Sequence, residues 1–444
     1  MGTILLNVWN FIFNQILAKP QLLLPIIVAL GYILLKRPWT TVLAGAIKTS
    51  VGIMILQAGS TLLINGFLPL IQALTERFGI KATIIDGYVA FPMATKALGD
   101  NAGWVGYVIL IALAMNILLV ALSKFTKLHA VFLTGHVMFQ QSTIATWLVF
   151  YTLGLPLLPT VLITGVIVGL YWAIGSNALI KPTAVVTNNA GFTIGHQQML
   201  MDWITAKYAH LFGDPKKDDV ENLNLPGWLS IFQDNIVAMS LIMFIFSMVI
   251  SLALGEAAVT KMSGADNWIV WTILKGLSFA VFITIILTGV RLFVAEIANS
   301  FVGISKKLLK DAVVAVDCPA IMPFSPNAWI IGFLMTTLGE TIAILGLLVF
   351  KSPIMVMAGF VPLFFDGGPI GVFANKFGGL KAVLFFCFLT GLLQVFGAFI
   401  MIPMSGLKGG WMGNMDWTSV WVAITGGLRL VGHLFGLPVP PYGG

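Results

Sequence analysis

Apolar stretches of about twenty residues, the length an α-helix needs to cross a hydrocarbon core roughly 30 Å thick, recur along almost the whole of this 444-residue chain. Inside a bilayer no water is available to the backbone, so a crossing segment must satisfy its own N–H and C=O groups as a helix or within a closed barrel. The runs fall at 20–36, 42–72, 102–123, 130–153, 156–180, 229–254, 268–302, 329–350, 353–365, 381–403 and 414–436, and they predict an all-α polytopic membrane protein of about eleven spans. Two of them, 42–72 and 268–302, exceed one crossing and call for a kink or a strong tilt, while 353–365 is too short to cross alone. Residues 3–18 read as a surface-lying or first spanning helix, since the basic region and small-residue cleavage site of a secretory signal are missing. The longest polar stretch, 181–226, is too short and too lightly patterned to fold as a soluble domain, so 1–444 reads as one membrane domain.

A composition of 58% hydrophobic and 9% charged residues decides how the net charge of +7 is read. The basic residues gather at the ends of apolar runs, as they do in membrane proteins, so nucleic acid is not an expected partner. Alternate loops carry Lys36 and Arg37, then Lys124 and Lys127, then Lys181, Lys207, Lys216 and Lys217, then Arg291, Lys306, Lys307 and Lys310, twelve in all. The opposite set holds five: Arg77, Lys81, Lys96, Lys261 and Lys351. The richer set is therefore expected on the cytoplasmic side. The two cysteines, Cys318 and Cys387, sit in apolar sequence and form no CxxC or CxxH motif; no disulfide framework, metal or other cofactor is expected.

The chain carries a faint internal repeat, with approximate copies at 20–200 and 229–403 followed by the run at 414–436. Gly52 and Gly66 are spaced as Gly289 and Gly303 are, and each pair leads into a short acidic motif, IDGYVAFP (85–92) in the first copy and VDCPAIMP (316–323) in the second. More weakly, GFTIGHQQ (191–198) is answered by GPIGVFAN (368–375). Moving from 42–72 to 268–302 takes five steps along these runs, an odd number, which inverts the second copy. Inverted repeats with broken helices are the organisation of transporters that hold substrate at the repeat interface.

Polar groups this close to hydrocarbon need partners, since an unsatisfied one costs several kcal/mol. TGHVMFQQ (134–141) puts His136 and Gln140 on one helical face, and GFTIGHQQ puts His196 and Gln197 on a glycine-broken segment. The competing role for each is an interhelical hydrogen bond. Asp317 in its apolar setting must be paired or solvated, with Arg291 or a helix N-terminus as the alternative to a ligand, and Asp86 stands in the same position in the first copy. Tyr88 reads either as a site residue or as an interfacial belt tyrosine, and Ser60 with Gln57 either as a site or as helix packing. Glu296 and Glu340 read equally as proton carriers or as members of structural pairs. A membrane enzyme would need a paired nucleophile and base or a metal set such as HExxH, and neither is found. Two classes remain, a phosphotransferase permease and an ion-coupled secondary transporter of a small organic anion or sugar.

QAGS (57–60), DGY (86–88), TGHVMFQQ, GFTIGHQQ, PGW (226–228), VRLFVAE (290–296), Asp317 and GVFANKFGG (371–379) together resemble the ascorbate-specific membrane permease, the enzyme IIC component, of the bacterial phosphotransferase system. The resemblance covers nearly the whole chain. It implies a homodimer in the lipid of the bacterial cytoplasmic membrane, with a dimerising domain of V-shaped helix pairs near 20–72 and 229–302 and a mobile core from the remainder. It also implies L-ascorbate as substrate, held at Ser60, Tyr88, His136, Gln140, His196, Gln197 and Asp317, and a separate cytoplasmic IIB subunit carrying a phosphocysteine. One departure is Gly87, where the family pattern can carry a hydroxyl residue. A flat, hydroxyl-rich, anionic lactone suits imidazoles and carboxamides and few carboxylates. Asp317 is therefore expected at the neutral hydroxyl tail, where the phosphoryl group must arrive, as the general base that accepts the proton of the reacting hydroxyl.

Overall fold

The computed structural model describes residues 20–79, 81–223, 226–309 and 312–443. In chain order its principal elements are α1 (Pro20–Leu34), α2 (Trp39–Phe78), β1 (Lys81–Ile85), α3 (Gly87–Leu98), α4 (Trp104–Ala121), β2 (Ala130–Phe132), α5 (Gly135–Leu153), α6 (Leu157–Ala178), β3 (Phe192–Ile194) and α7 (Met199–Tyr208). They continue with α8 (Asn235–Leu254), α9 (Glu256–Ser263), α10 (Trp268–Leu308), β4 (Val313–Val316), α11 (Pro326–Val349), β5 (Ile354–Ala358), α12 (Phe360–Ser405), β6 (Gly410–Trp411) and α13 (Val420–Leu434). Among the described residues six helical stretches are long and apolar enough to cross a membrane: 39–63, 87–121, 157–178, 268–286, 326–349 and 360–405. The sharply bent pair 243–254 and 256–263 adds a seventh if it counts as one span.

Several apolar runs resolve differently from the sequence-based expectation. The run 353–365 is no span: it holds β5 and the opening turn of α12. Run 130–153 begins as β2 and becomes helical only at Gly135, and 414–436 holds a 3-10 turn, Met415–Thr418, before the 15-residue α13. GPIGVFAN lies inside α12, so it is no structural counterpart of the strand-forming GFTIGHQQ.

Helices α2 and α10, with 40 and 41 residues, are the longest pair after α12. At about 1.5 Å per residue each reaches ~60 Å, twice a hydrocarbon core, so each must tilt or project from it. Their matched glycines explain how they pack. A Cβ built on Gly52 would stand 2.6 Å from the Gly289 carbonyl, and one on Gly289 would stand 2.5 Å from the Gly52 carbonyl. The two backbones touch at this crossing, as small residues permit between membrane helices. Nearby, Glu296 accepts from the Tyr32 hydroxyl at 2.6 Å and pairs with Lys48 at 3.2 Å, which makes it a structural pair. Glu340 is buried, and neither of its carboxylate oxygens has a hydrogen-bond partner among the described residues.

Besides helices there are two small parallel sheets, which helical periodicity did not anticipate. Their strand orders are β5-β1-β6 and β2-β4-β3. β1 pairs with β5 over Lys81↔Ile354 to Ile85↔Ala358 and with β6 at Ile84↔Gly410 and Ile85↔Trp411. β4 pairs with β2 over Ala130↔Val313 to Phe132↔Ala315 and with β3 over Phe192↔Val314 to Ile194↔Val316. Each central strand thus comes from one half of the chain and both its neighbours from the other half. Non-helical backbone in such a protein survives only where it is buried or lines a polar cavity, and here its hydrogen bonds are satisfied by strand pairing. The long α12 breaks at Gly379, whose φ of 70° favours glycine; there the Asp218 carbonyl accepts from Leu380 N. Asn375 in the same GVFANKFGG motif donates to Asp219 and accepts from Val220 N, fastening the 214–223 loop to the helix.

Candidate functional site

The sheet β2-β4-β3 assembles the candidate site at the carboxyl ends of its strands. Asp317 directly follows β4, His196 stands two residues beyond β3, and His136 lies on the first turn of α5, just past β2. Parallel pairing makes these three segments neighbours although they are remote in sequence. One Asp317 oxygen, Oδ2, lies 3.5 Å from His136 Nε2, and the other, Oδ1, lies 3.6 Å from His196 Nε2. The Asp317 side chain is 40% exposed while those of His136 and His196 are 13% and 4% exposed, so the trio opens at the carboxylate. Asp317 Oδ1 has no hydrogen-bond partner among the described residues.

Carboxamides hold the imidazoles in place. Gln198 Oε1 accepts from the backbone N–H of Gln197 at 3.0 Å and lies 2.6 Å from His196 Nδ1. An oxygen already accepting from an amide can only accept again, so Nδ1 carries the ring proton and Nε2 turns a lone pair toward Asp317. Burial drives the His196 imidazole below the ordinary histidine range, with the Asp317 carboxylate opposing it. Gln141 Nε2 donates to the His196 carbonyl at 3.1 Å, and the Trp172 indole donates in turn to Gln141 Oε1. Gln197 Nε2 donates to Gln140 Oε1 at 3.0 Å, and its own oxygen accepts from the Trp417 indole at 2.6 Å.

The structure therefore brings His136, His196 and Asp317 together and couples Gln140 to Gln197 beside them. Tyr88 is buried on α3, its backbone N–H donating to Asp86 at 2.9 Å, and α3 meets α5 through Phe91 and Phe139, whose ring centroids are 5.1 Å apart. A Cβ at Gly87 would stand 3.4 Å from Gln140 Oε1, so the departure from the family pattern adjoins this cluster. The Ser60 side chain and the Arg291 side chain lie outside the described residues.

Sequence reasoning missed the supporting residues Gln198, Asp416 and Trp417. Asp416 accepts from the Tyr171 hydroxyl at 2.6 Å and from Met199 N and Leu200 N at 2.9 and 3.1 Å, capping α7. The signal was there, an acidic residue between glycines and tryptophans in GGWMGNMDW (409–417); assigning 414–436 to a span concealed it.

These features define a multi-pass membrane protein whose two interlocked halves converge on a polar, partly open group of imidazole, carboxylate and carboxamide side chains. Residues 15–422 match the PTS system sugar-specific permease component family, EIIC-GAT, and the chain belongs to that family. It is 32% identical to the ascorbate-specific PTS system EIIC component of Mycoplasma pneumoniae, in an alignment that covers 86% of this chain and 64% of that relative. The chain thus spans less than two thirds of that relative's length.

Proposed function

We propose that this chain carries L-ascorbate across the bacterial cytoplasmic membrane and presents it for phosphorylation by a separate cytoplasmic phosphocysteine-carrying IIB subunit. The carrying observation is Asp317. Its carboxylate stands between two imidazoles, opens to the outside of the trio and has an oxygen without a hydrogen-bond partner among the described residues. The name of the Mycoplasma relative and the chemistry of the site point to the same substrate. His136, Gln140, His196 and Gln197 address the lactone ring, Tyr88 and Ser60 flank it, and Asp317 meets the hydroxyl tail. In the transfer step Asp317 accepts the proton of the reacting hydroxyl, an O–P bond forms, the S–P bond of phosphocysteine breaks and the thiolate leaves. The basic sequence Lys306, Lys307 and Lys310, whose side chains lie outside the described residues, supplies positive charge suited to an acidic carrier.

In this reading the chain forms homodimers of multi-span protomers built from inverted repeats. The helices near 20–72 and 229–302 make the dimerising part, and the remainder moves as an elevator-like core. Uptake into membrane vesicles tests the function. Ascorbate should appear inside as a phosphate ester only when the phosphorylated partner is present, and should continue to accumulate when the proton gradient is collapsed. Gradient-driven accumulation of unmodified ascorbate overturns the reading in favour of an ion-coupled transporter.

A further inference from the structure

The geometry points to a divalent transition-metal site made of His136 Nε2, His196 Nε2 and Asp317, with Zn2+ the best-matched ion; its competition with substrate rests on the function proposed above. The three ligand atoms lie within 4.8 Å of one another. The two imidazole–carboxylate separations, 3.5 and 3.6 Å, exceed an ordinary N–H···O hydrogen bond of about 2.7–3.2 Å. Each is close to the edge of a tetrahedron with metal–ligand bonds of about 2.0–2.1 Å, an edge of roughly 3.3–3.4 Å, but they run to different carboxylate oxygens, so Asp317 must turn to offer one oxygen to an ion held by both imidazoles.

The surroundings of His196 match those of a metal-bound histidine. Its Nδ1–H is donated to Gln198 Oε1, a group fixed as an oxygen by the Gln197 N–H, so Nε2 presents a lone pair to Asp317 Oδ1. Two acceptors 3.6 Å apart require something electropositive between them. An outer oxygen that accepts the other ring N–H, most often that of a carboxylate, a backbone carbonyl or water, is the usual support of a histidine ligand, and the Gln198 carboxamide oxygen fills that role here. Two imidazoles and one carboxylate suit zinc and its neighbours and do not suit Mg2+ or Ca2+, which favour all-oxygen shells. Three protein ligands with a partly exposed carboxylate leave a fourth position open toward the space assigned to substrate. A seated dication therefore excludes the sugar acid, and zinc acts as an inhibitor of the permease.

Zn2+ binding to the full-length chain in detergent tests this, measured by calorimetry and by metal content after dialysis. One ion per chain is expected, with a rise in the thermal midpoint that grows with free Zn2+. Binding should be lost in His136→Ala and His196→Ala and weakened about 10-fold or more in Gln198→Ala, the usual cost of removing an outer-shell partner. Mg2+ should neither bind nor protect. Absence of stoichiometric Zn2+ binding, or binding that survives both histidine substitutions in folded protein, overturns the site. Should either variant fail to fold, Cu2+ bound to the unaltered chain supplies the second measurement: pulsed electron paramagnetic resonance should count two coordinated imidazoles, and fewer overturns it. Competition separates this proposal from the function it rests on. Mutual exclusion of Zn2+ and ascorbate supports both; Zn2+ bound at the trio without effect on ascorbate affinity keeps the metal site and overturns the shared location.

Discussion

Asp86 and Asp317 occupy the same station in two sheets of like construction, each the first residue after a central parallel strand, yet their surroundings are opposite. Asp86 is fully buried, and both oxygens are taken by backbone: Oδ1 accepts from Tyr88 N at 2.9 Å and Oδ2 from Val361 N at 3.1 Å. It caps α3 and the start of α12 at once, tying one half of the chain to the other. Asp317 caps nothing with its side chain, keeps 40% exposure and faces two histidines. The same strand-then-aspartate design thus yields a clasp at one end and a part-exposed carboxylate facing two imidazoles at the other. What separates them is the neighbouring strand's exit: β5 leads into Gly359 and Phe360, whereas β2 leads into His136.

The comparison breaks most visibly at Asp317. Asp317→Asn keeps the shape and removes the base, so partner-dependent phosphorylation should fall by about 10²–10⁴-fold. Ascorbate binding should fall modestly, and the unfolding midpoint should move less than in Asp86→Ala, since the Asp317 side chain caps no backbone. Equal losses in binding and phosphorylation would reduce Asp317 to a ligand contact. Asp86→Ala should do the reverse. It leaves two buried amides without their acceptor, at about 1–3 kcal/mol each, and should lower the unfolding midpoint before it touches phosphorylation per folded molecule. An unchanged midpoint with abolished uptake would make Asp86 a functional residue and dissolve the contrast.

Smaller effects sharpen the Asp317 side. His196→Ala and Gln140→Ala each remove one polar contact worth about 1–3 kcal/mol, so ascorbate affinity should drop roughly 5- to 150-fold while the chain still folds. Undiminished binding in both purified variants would return these side chains to a purely structural role. Gly87→Ser places a small side chain 3.4 Å from Gln140 Oε1 without demanding an unusual backbone. Its effect on affinity should be about 3-fold or less, about 0.7 kcal/mol, and a larger change would show that Gln140 is held from the Asp86 side.

Membrane class, the long glycine-notched helices and the acidic motifs of the two halves were legible in the sequence because each leaves a local mark. Gly52 and Gly289, picked out only by their spacing, prove to touch each other's backbone. The sheets were not legible. Strands such as VVAV and AVF, three or four residues long in apolar surroundings, have the same hydropathy as a buried helix, and periodicity cannot separate the two. For the site, residue types and motifs pointed to His136, His196 and Asp317, but their mutual distances depend on strand pairing between remote segments. Gln197 and Gln198 stand side by side in GFTIGHQQ, and only the geometry shows that Gln198 orients an imidazole while Gln197 bonds to Gln140.

The exchange of strands between halves also sets an order of assembly. β4 follows β2 and β3 in the chain, so the sheet that ends in His136, Asp317 and His196 is complete once residue 316 has left the ribosome. β1 emerges long before its neighbours β5 and β6. Synthesis at about 5–20 residues per second holds it unpaired for roughly 15–50 s before residue 354 arrives. During that interval five consecutive residues of backbone have no ladder to join, and they need the translocation machinery or a temporary helix to satisfy them. A nascent chain halted after α11 would therefore carry a finished imidazole–carboxylate cluster and an unclosed clasp, which makes β1 the segment on which quality control of this membrane protein would act.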